Sequence, residues 1–333
     1  MTGAKGLSTG LRATALTASA LVAALSMSPD SLAQAFPSKP VRIIIAAAPG
    51  VPTDTLGRGL VEPLGRALGQ PIIVENRVGA DGIIGTEACV RAAPDGYALC
   101  GTASNVIVWN TVLRTKLPYD VLRDLQPVMH GAFFDSFLAV HPSVPVSNVT
   151  QLLEYSRANP QKVNWAHFGV NSTGYMYMEW LNRNRGAAFY PVPYKTQPQN
   201  QTAMLAGESQ VSVLSISNGG PHVKAGRLKA LATTTATRQA ALPAVPTFDE
   251  EGIKLPLRTW FGYHYQAAVP REIVQRMNSE LRKIFDTQSF RSSVVEGIGL
   301  NANHGSIEEF DAYVRNQIKD VTALVANIGL KPE

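Results

Sequence analysis

The 333-residue sequence has only two cysteines, Cys89 and Cys100. That is too few for a disulfide framework, and no Cys/His cluster shows metal-ligand spacing. Its six histidines are dispersed at 130, 141, 167, 222, 264 and 304. None has another His or Cys three or four residues on, so no metal site is expected. Charge runs are missing as well. The 30 basic and 25 acidic residues, net +5, are scattered along the chain, which excludes a nucleic-acid patch. After the first thirty or so residues no run is long and apolar enough to span a bilayer. No nucleophile elbow (Gly-x-Ser-x-Gly placed after a strand) and no Gly-x-x-x-x-Gly-Lys phosphate loop is present. Ser172 or Ser104 with His167 is the one hydrolase pairing on offer, and no orienting acid stands at a recognisable position. The sequence thus points to no catalytic residue, metal or cofactor.

What is there begins with a targeting pattern. Lys5 and Arg12 give a basic start, residues 13–27 form a run of small apolar residues, and Ala33-Gln34-Ala35 is a small-x-small cleavage site. A cleaved signal peptide over 1–35 is expected, with a soluble exported chain starting at Phe36; the alternative is a retained anchor. No cysteine at the cleavage site offers a lipid attachment point. Export makes a Cys89–Cys100 disulfide possible, and two separate buried thiols are the other reading.

Strand and helix patterns then alternate. Residues 41–47 read as a strand, 53–68 as a helix, 71–75 as a strand, 82–92 as a helix and 97–101 as a strand. A second set follows: strands at 136–140, 164–168, 189–193, 210–216 and 228–233, with helices at 149–158, 172–183, 199–206 and 221–225. Residues 260–268 read as a strand pair or an extended crossing. Helices at 271–287, 290–296 and 307–327 close the chain and are expected to return over the first sheet. This βαβ rhythm, met twice, predicts an α/β fold of two doubly wound lobes around a cleft. The lobes are placed at 36–136 plus 258–333 and at 137–257.

Two loops stand at strand ends where such sheets bind ligands. In VRIIIAAAPGVPTDTLGRGL (41–60) a β-branched run stops at Pro49-Gly50 and a helix starts near Thr53-Asp54. Gly169-Val170-Asn171-Ser172-Thr173-Gly174 is the counterpart in the second half. Helix N-termini present unpaired N–H groups and suit an anion; simple helix capping by Asp54 or Ser172 is the competing reading. Asp54 could also accept from a ligand amine or a water. The glycines of GADGIIG (79–85) are not spaced as a dinucleotide fingerprint and read as a turn with a close-packed helix start.

Several segments resemble one family in joint order and spacing: FPSKPVR (36–42), LGQPIIVENR (68–77) with GADG (79–82), APDGY (93–97), LPYD (117–120) with DLQPV (124–128), PYK (193–195), LPAVPT (242–247) with Glu251-Gly252, and WFG (260–262). On these the chain resembles the solute receptors of tripartite tricarboxylate transporters, also called the Bug family. The resemblance covers the chain from Phe36 to about Lys331. It implies a bilobal, type II-like periplasmic binding fold that closes on a small, usually carboxylated solute. It implies a periplasmic monomer that delivers this solute to membrane permease subunits or reports it to a sensor kinase. The family's first ligand loop maps onto residues 46–54. Pro49, Gly50, Thr53 and Asp54 match it, Ala46, Ala47 and Ala48 replace Pro-aromatic-Pro, and Val51 replaces the second glycine. A β-branched residue resists positive φ, so the family's backbone approach does not carry over directly at Val51. The second loop maps onto residues 166–179, where Gly169, Ser172 and Glu179 match, while His167, Phe168, Val170, Asn171 and Tyr175 depart. The expected ligand-binding set is therefore Pro49, Gly50, Val51, Pro52, Thr53, Asp54, Ser104, Phe168, Gly169, Val170, Asn171, Ser172, Thr173 and Tyr175. Tyr175, Met176 and Tyr177 suggest an aromatic rim and a bulky or aromatic ligand; packing of these tyrosines inside the lobe is the alternative.

Overall fold

The first strand, Val41–Ile45 (β1), is β-branched at every position but Arg42, and every residue but Arg42 is buried. In the computed structural model β1 pairs in parallel with Ile72–Asn76 (β2) on one side and Ala98–Ala103 (β3) on the other. The structure describes residues 36–332 except Asn171 and Pro256; the expected signal peptide lies outside the described residues. From Lys39 onward the chain forms one unit built on two sheets.

The first sheet adds Leu125–Phe134 (β4), Trp260–Gln266 (β10) and Leu300–Ala302 (β11), in the order β11-β4-β10-β3-β1-β2. The second comprises Ser136–Val140 (β5), Val163–His167 (β6), Phe189–Pro193 (β7), Val211–Ser215 (β8) and Lys229–Thr233 (β9), in the order β7-β6-β8-β5-β9. In each, a parallel core is joined by an antiparallel strand: β10 beside β3, β5 beside β8. This is the bilobal α/β class expected. The segment at 260–268 resolves into the single strand β10, sandwiched antiparallel between β3 and β4.

The chain crosses between the sheets twice, from β4 to β5 through Asp135 alone and from β9 to β10 through residues 234–259. The two crossings are tied together. Arg258 pairs with buried Asp135 at 3.2 Å and lies 3.7 Å over the Phe133 ring. Burial pushes the Asp135 pKa up, against the pull of Arg258.

The longer helices are Pro52–Gly59 (α1), Val61–Leu68 (α2), Ile83–Val90 (α3), Val149–Ala158 (α4), Thr173–Arg185 (α5), Gln197–Ala206 (α6), Ile216–Lys224 (α7), Arg271–Asp286 (α8) and Ile307–Ile328 (α9). The single helix expected at 53–68 is broken at Leu60. Pro63 lacks an N–H and its ring crowds the carbonyl of Gly59, four residues back. Helix α7 begins at Ile216, well before the expected 221, because Ser215 caps it by accepting from the Asn218 N–H at 3.3 Å. Cys89 on α3 and Cys100 on β3 form a disulfide.

The GADGIIG segment is a turn and a tight helix start. A Cβ on Gly85 would stand 2.5 Å from the Ala46 Cα, so only glycine lets α3 pack this closely beneath the first loop. Helix α9 starts with a capping box, Ser306 and Glu309 bonding each other's backbone N–H. Its buried stripe is Ile307, Phe310, Val314, Gln317, Val321, Leu324, Val325 and Ile328. The helix packs on β4 and also on α5, with Asn184 donating to Asn327 at 2.8 Å. It therefore bridges the two sheets, where the sequence suggests a return over the first sheet alone. Gln317 is buried because it accepts from the Trp260 indole and donates to the Arg258 carbonyl at 2.8 Å, which satisfies its amide away from water.

Candidate functional site

Helix starts at the carboxyl ends of β1, β3 and β6 converge between the sheets. After β1, the chain turns at Pro49-Gly50 and Pro52 opens α1 at a position where its missing N–H costs nothing. Val51, the N-cap, is extended (φ −79°, ψ 162°), so its branched side chain is unstrained and the turn needs no second glycine there. Asp54 turns into the loop and is not among the residues lining the cavities described below. Its carboxylate is 1% exposed and accepts from the Gly50 N–H at 2.8 Å, the Asn76 amide at 2.9 Å and Arg58 Nε at 2.9 Å. Burial alone would raise its pKa; the bonds from Arg58, Gly50 and Asn76 outweigh that and hold it below the ordinary carboxylate value. Asp54 thus pins the turn, and the Gly50 N–H is spent inside the loop. The first-turn N–H groups of Thr53 and Asp54 keep no partner within the helix.

On the second sheet, Ser172 caps α5. Its Oγ accepts from the Tyr175 N–H at 3.3 Å and donates to the Gly169 carbonyl at 2.7 Å. The Ser172 proton therefore goes to a backbone carbonyl, while His167 Nδ1 accepts the Gly169 N–H at 3.2 Å; the two do not form a nucleophile–base pair. The Thr173 and Thr259 hydroxyls meet at 2.8 Å, joining the α5 start to the second crossing. After β3, buried Ser104 accepts from the Trp260 N–H at 3.3 Å and precedes the helical turn Asn105–Trp109.

Two adjoining cavities lie among these elements. One, of about 260 Å³, is lined by Pro52, Ser104, Asn105, Trp109, Phe134, Ser136, Phe168, Ser172, Thr173, Gly174, Gln197, Val213, Thr259 and Phe261. The other, of about 550 Å³, lies against Ala46, Ala47, Val51, Thr53 and the 78–82 turn, and shares Pro52, Asn105, Phe168 and Phe261 with the first. Among the described residues no Lys or Arg lines either, and the only charged lining residue is Asp81, which is exposed and paired with Arg114. Among the described residues no group of three His, Cys, Asp or Glu is placed to hold a metal.

Of the expected set, Val51, Pro52, Thr53, Ser104, Phe168, Ser172 and Thr173 line the cavities. Pro49, Gly50, Asp54, Gly169, Val170 and Tyr175 are not among the lining residues, and Asn171 lies outside the described residues. Tyr175 packs its ring 4.9 Å from His167. Met176 and Tyr177 are buried, the Tyr177 hydroxyl donating to the Leu257 carbonyl at 2.6 Å, so they do not form the rim. The aromatic wall comes from Trp109, Phe134, Phe168 and Phe261. Trp109 and Phe134 sit on segments with no clean periodicity; Phe261 is visible in the sequence only within the WFG segment.

A family model described as Tripartite tricarboxylate transporter family receptor matches residues 56–330. The chain belongs to that family. A relative from Bordetella bronchiseptica, a UPF0065 protein, is 30% identical over 327 residues, covering 98% of this chain and 96% of the relative. Rpa4515 of R. palustris, solved with adipate, is 25% identical with a TM-score of 0.74, covering 90% of this chain and 100% of that one. MatC from Rhodopseudomonas palustris, solved with bound malate, is 25% identical with a TM-score of 0.68, covering 87% and 100%. The chain is thus a solute-binding receptor by family, which agrees with a cleft built from helix starts and neutral donors.

Proposed function

We propose that this protein is a periplasmic receptor that closes its two lobes, 36–136 plus 258–333 and 137–257, on a small carboxylate-containing solute and delivers it to the permease subunits of a tripartite tricarboxylate transporter. The observation that carries this is the meeting of three helix starts, at Pro52, Asn105 and Thr173, around cavities with neutral polar donors and no nucleophile–base pair. Such a site can hold an anion through N–H and hydroxyl groups. The adipate and malate in the related structures support the carboxylate assignment. Within the described residues no helix is long and apolar enough to cross a membrane.

The test is a thermal-shift screen of organic acids, amino acids and sugars on the chain from Phe36. A ligand at 100 times its dissociation constant stabilises by about 2.7 kcal/mol, so at least one carboxylate should raise the melting temperature by several degrees. Stabilisation by sugars or amines and by no acid would overturn the reading.

A further inference from the structure

We infer that the solute is a flat aromatic monocarboxylate rather than an aliphatic dicarboxylate; this rests on the receptor reading above. The 260 Å³ cavity has four aromatic rings in its wall, from Trp109, Phe134, Phe168 and Phe261, with Val213 beside them. An apolar cavity of about 150 Å³ takes benzene, so this one has room for a ring and a carboxylate.

Its donors suffice for one carboxylate. The Ser172 hydroxyl donates to Gly169, and one of the Thr173 and Thr259 hydroxyls donates to the other, which keeps its own proton. The Ser104 oxygen accepts from the Trp260 N–H, and its own O–H remains a donor. Left to face a ligand are the first-turn N–H groups of Thr173 and Gly174, the Ser104 O–H, one threonine O–H, and the side chains of Asn105, Ser136 and Gln197. A carboxylate has about four lone-pair sites, which this set of neutral donors covers. A second carboxylate would add a second negative charge, with no Lys or Arg among the described lining residues to balance it and the anionic Asp81 next door. Burying an unpaired charge in such surroundings is disfavoured. A ring between aromatic walls gains offset or edge contacts instead.

Phe168 is the discriminating residue. It lines both cavities, and at 42% exposure it supports little of the core. Calorimetric titration of the chain from Phe36 with benzoate, adipate and malate tests the inference, with intrinsic tryptophan fluorescence, to which the lining Trp109 contributes, as a second readout. Benzoate should bind at least tenfold tighter than either diacid and change the tryptophan emission. Phe168→Ala should weaken benzoate at least fivefold with an unchanged melting temperature, while Phe168→Tyr retains binding. Adipate or malate binding as tightly as benzoate would overturn the aromatic assignment and leave the receptor reading standing. Binding of none of the three, with a non-acid solute binding instead, would overturn both.

Discussion

Replacing Asp54 by alanine should loosen the first loop and destabilise the fold by about 3 kcal/mol. The carboxylate is buried and holds Gly50, Asn76 and Arg58. Hydrogen bonds to a charged group are worth about 1.5–3 kcal/mol each. Arg58 is 53% exposed, so water replaces most of its share. The Gly50 and Asn76 bonds remain, and relief of the carboxylate's own desolvation places the sum at the low end. At about 2.1 cal/mol/K of unfolding entropy per residue, 3 kcal/mol lowers the melting temperature of a chain this size by about 5 °C, if both lobes unfold together. Asp54→Asn keeps the shape and one acceptor but turns an amide N–H toward donors, and should lose at least half as much. Circular-dichroism melts and urea titrations read both variants, and acid titrations should show weaker binding as the turn is released. An Asp54→Ala protein melting within 1 °C of the parent would refute the pinning argument, because a carboxylate with three such partners cannot be removed at no cost.

Gly299→Ala should destabilise by about 1–3 kcal/mol, since its φ of +77° disfavours a side chain and a Cβ would stand 2.1 Å from Ser217 Oγ; adding Ser217→Gly should recover the steric part, and a single variant as stable as the parent would contradict this. Cys100→Ser removes a cross-link of sequence separation 11 and should cost about 3 kcal/mol on the chain-entropy account, read by urea unfolding under oxidising conditions; no loss would contradict it. Burial lowers the pKa of His130 and His264 to about 3 from an unfolded value of about 6.5. The unfolded chain therefore binds more protons between these values, so stability present above pH 6.5 is lost as pH falls, by about 2 kcal/mol per histidine at pH 5. Asp135, pushed up by burial, offsets part of this. His264→Gln should flatten the slope by about half in pH-dependent melts, and an unchanged slope would contradict the assignment.

Strands β1, β2, β3 and β5 to β9 were legible because short, largely apolar runs stand between turn residues or helical patterns. Strand β4 was not. Pro127, His130 and Gly131 interrupt its alternation, and only its place beside β10, with two register shifts, makes it a ten-residue strand. Helix α7 hid behind Gly219-Gly220-Pro221, a turn signal that the Ser215 cap and packing against Phe137 override. At the site, the two loops could be found from strand–turn–helix order alone. Their chemistry could not. Asp54 looks like a ligand contact until Asn76, 22 residues on, is seen to occupy it. The aromatic wall is assembled from four separate segments, and only the fold brings Trp109 and Phe134 beside Phe168.

The cleft is proposed to hold a carboxylate on the start of α5. A crystal structure of the chain from Phe36 with its tightest-binding acid tests it most directly. A carboxylate oxygen is expected at hydrogen-bond distance, about 2.7–3.2 Å, from the Thr173 or Gly174 N–H, with the body of the acid against Phe168. An acid seated outside both cavities, for instance against Lys224 in the separate 300 Å³ hollow beside Gly299, would contradict it.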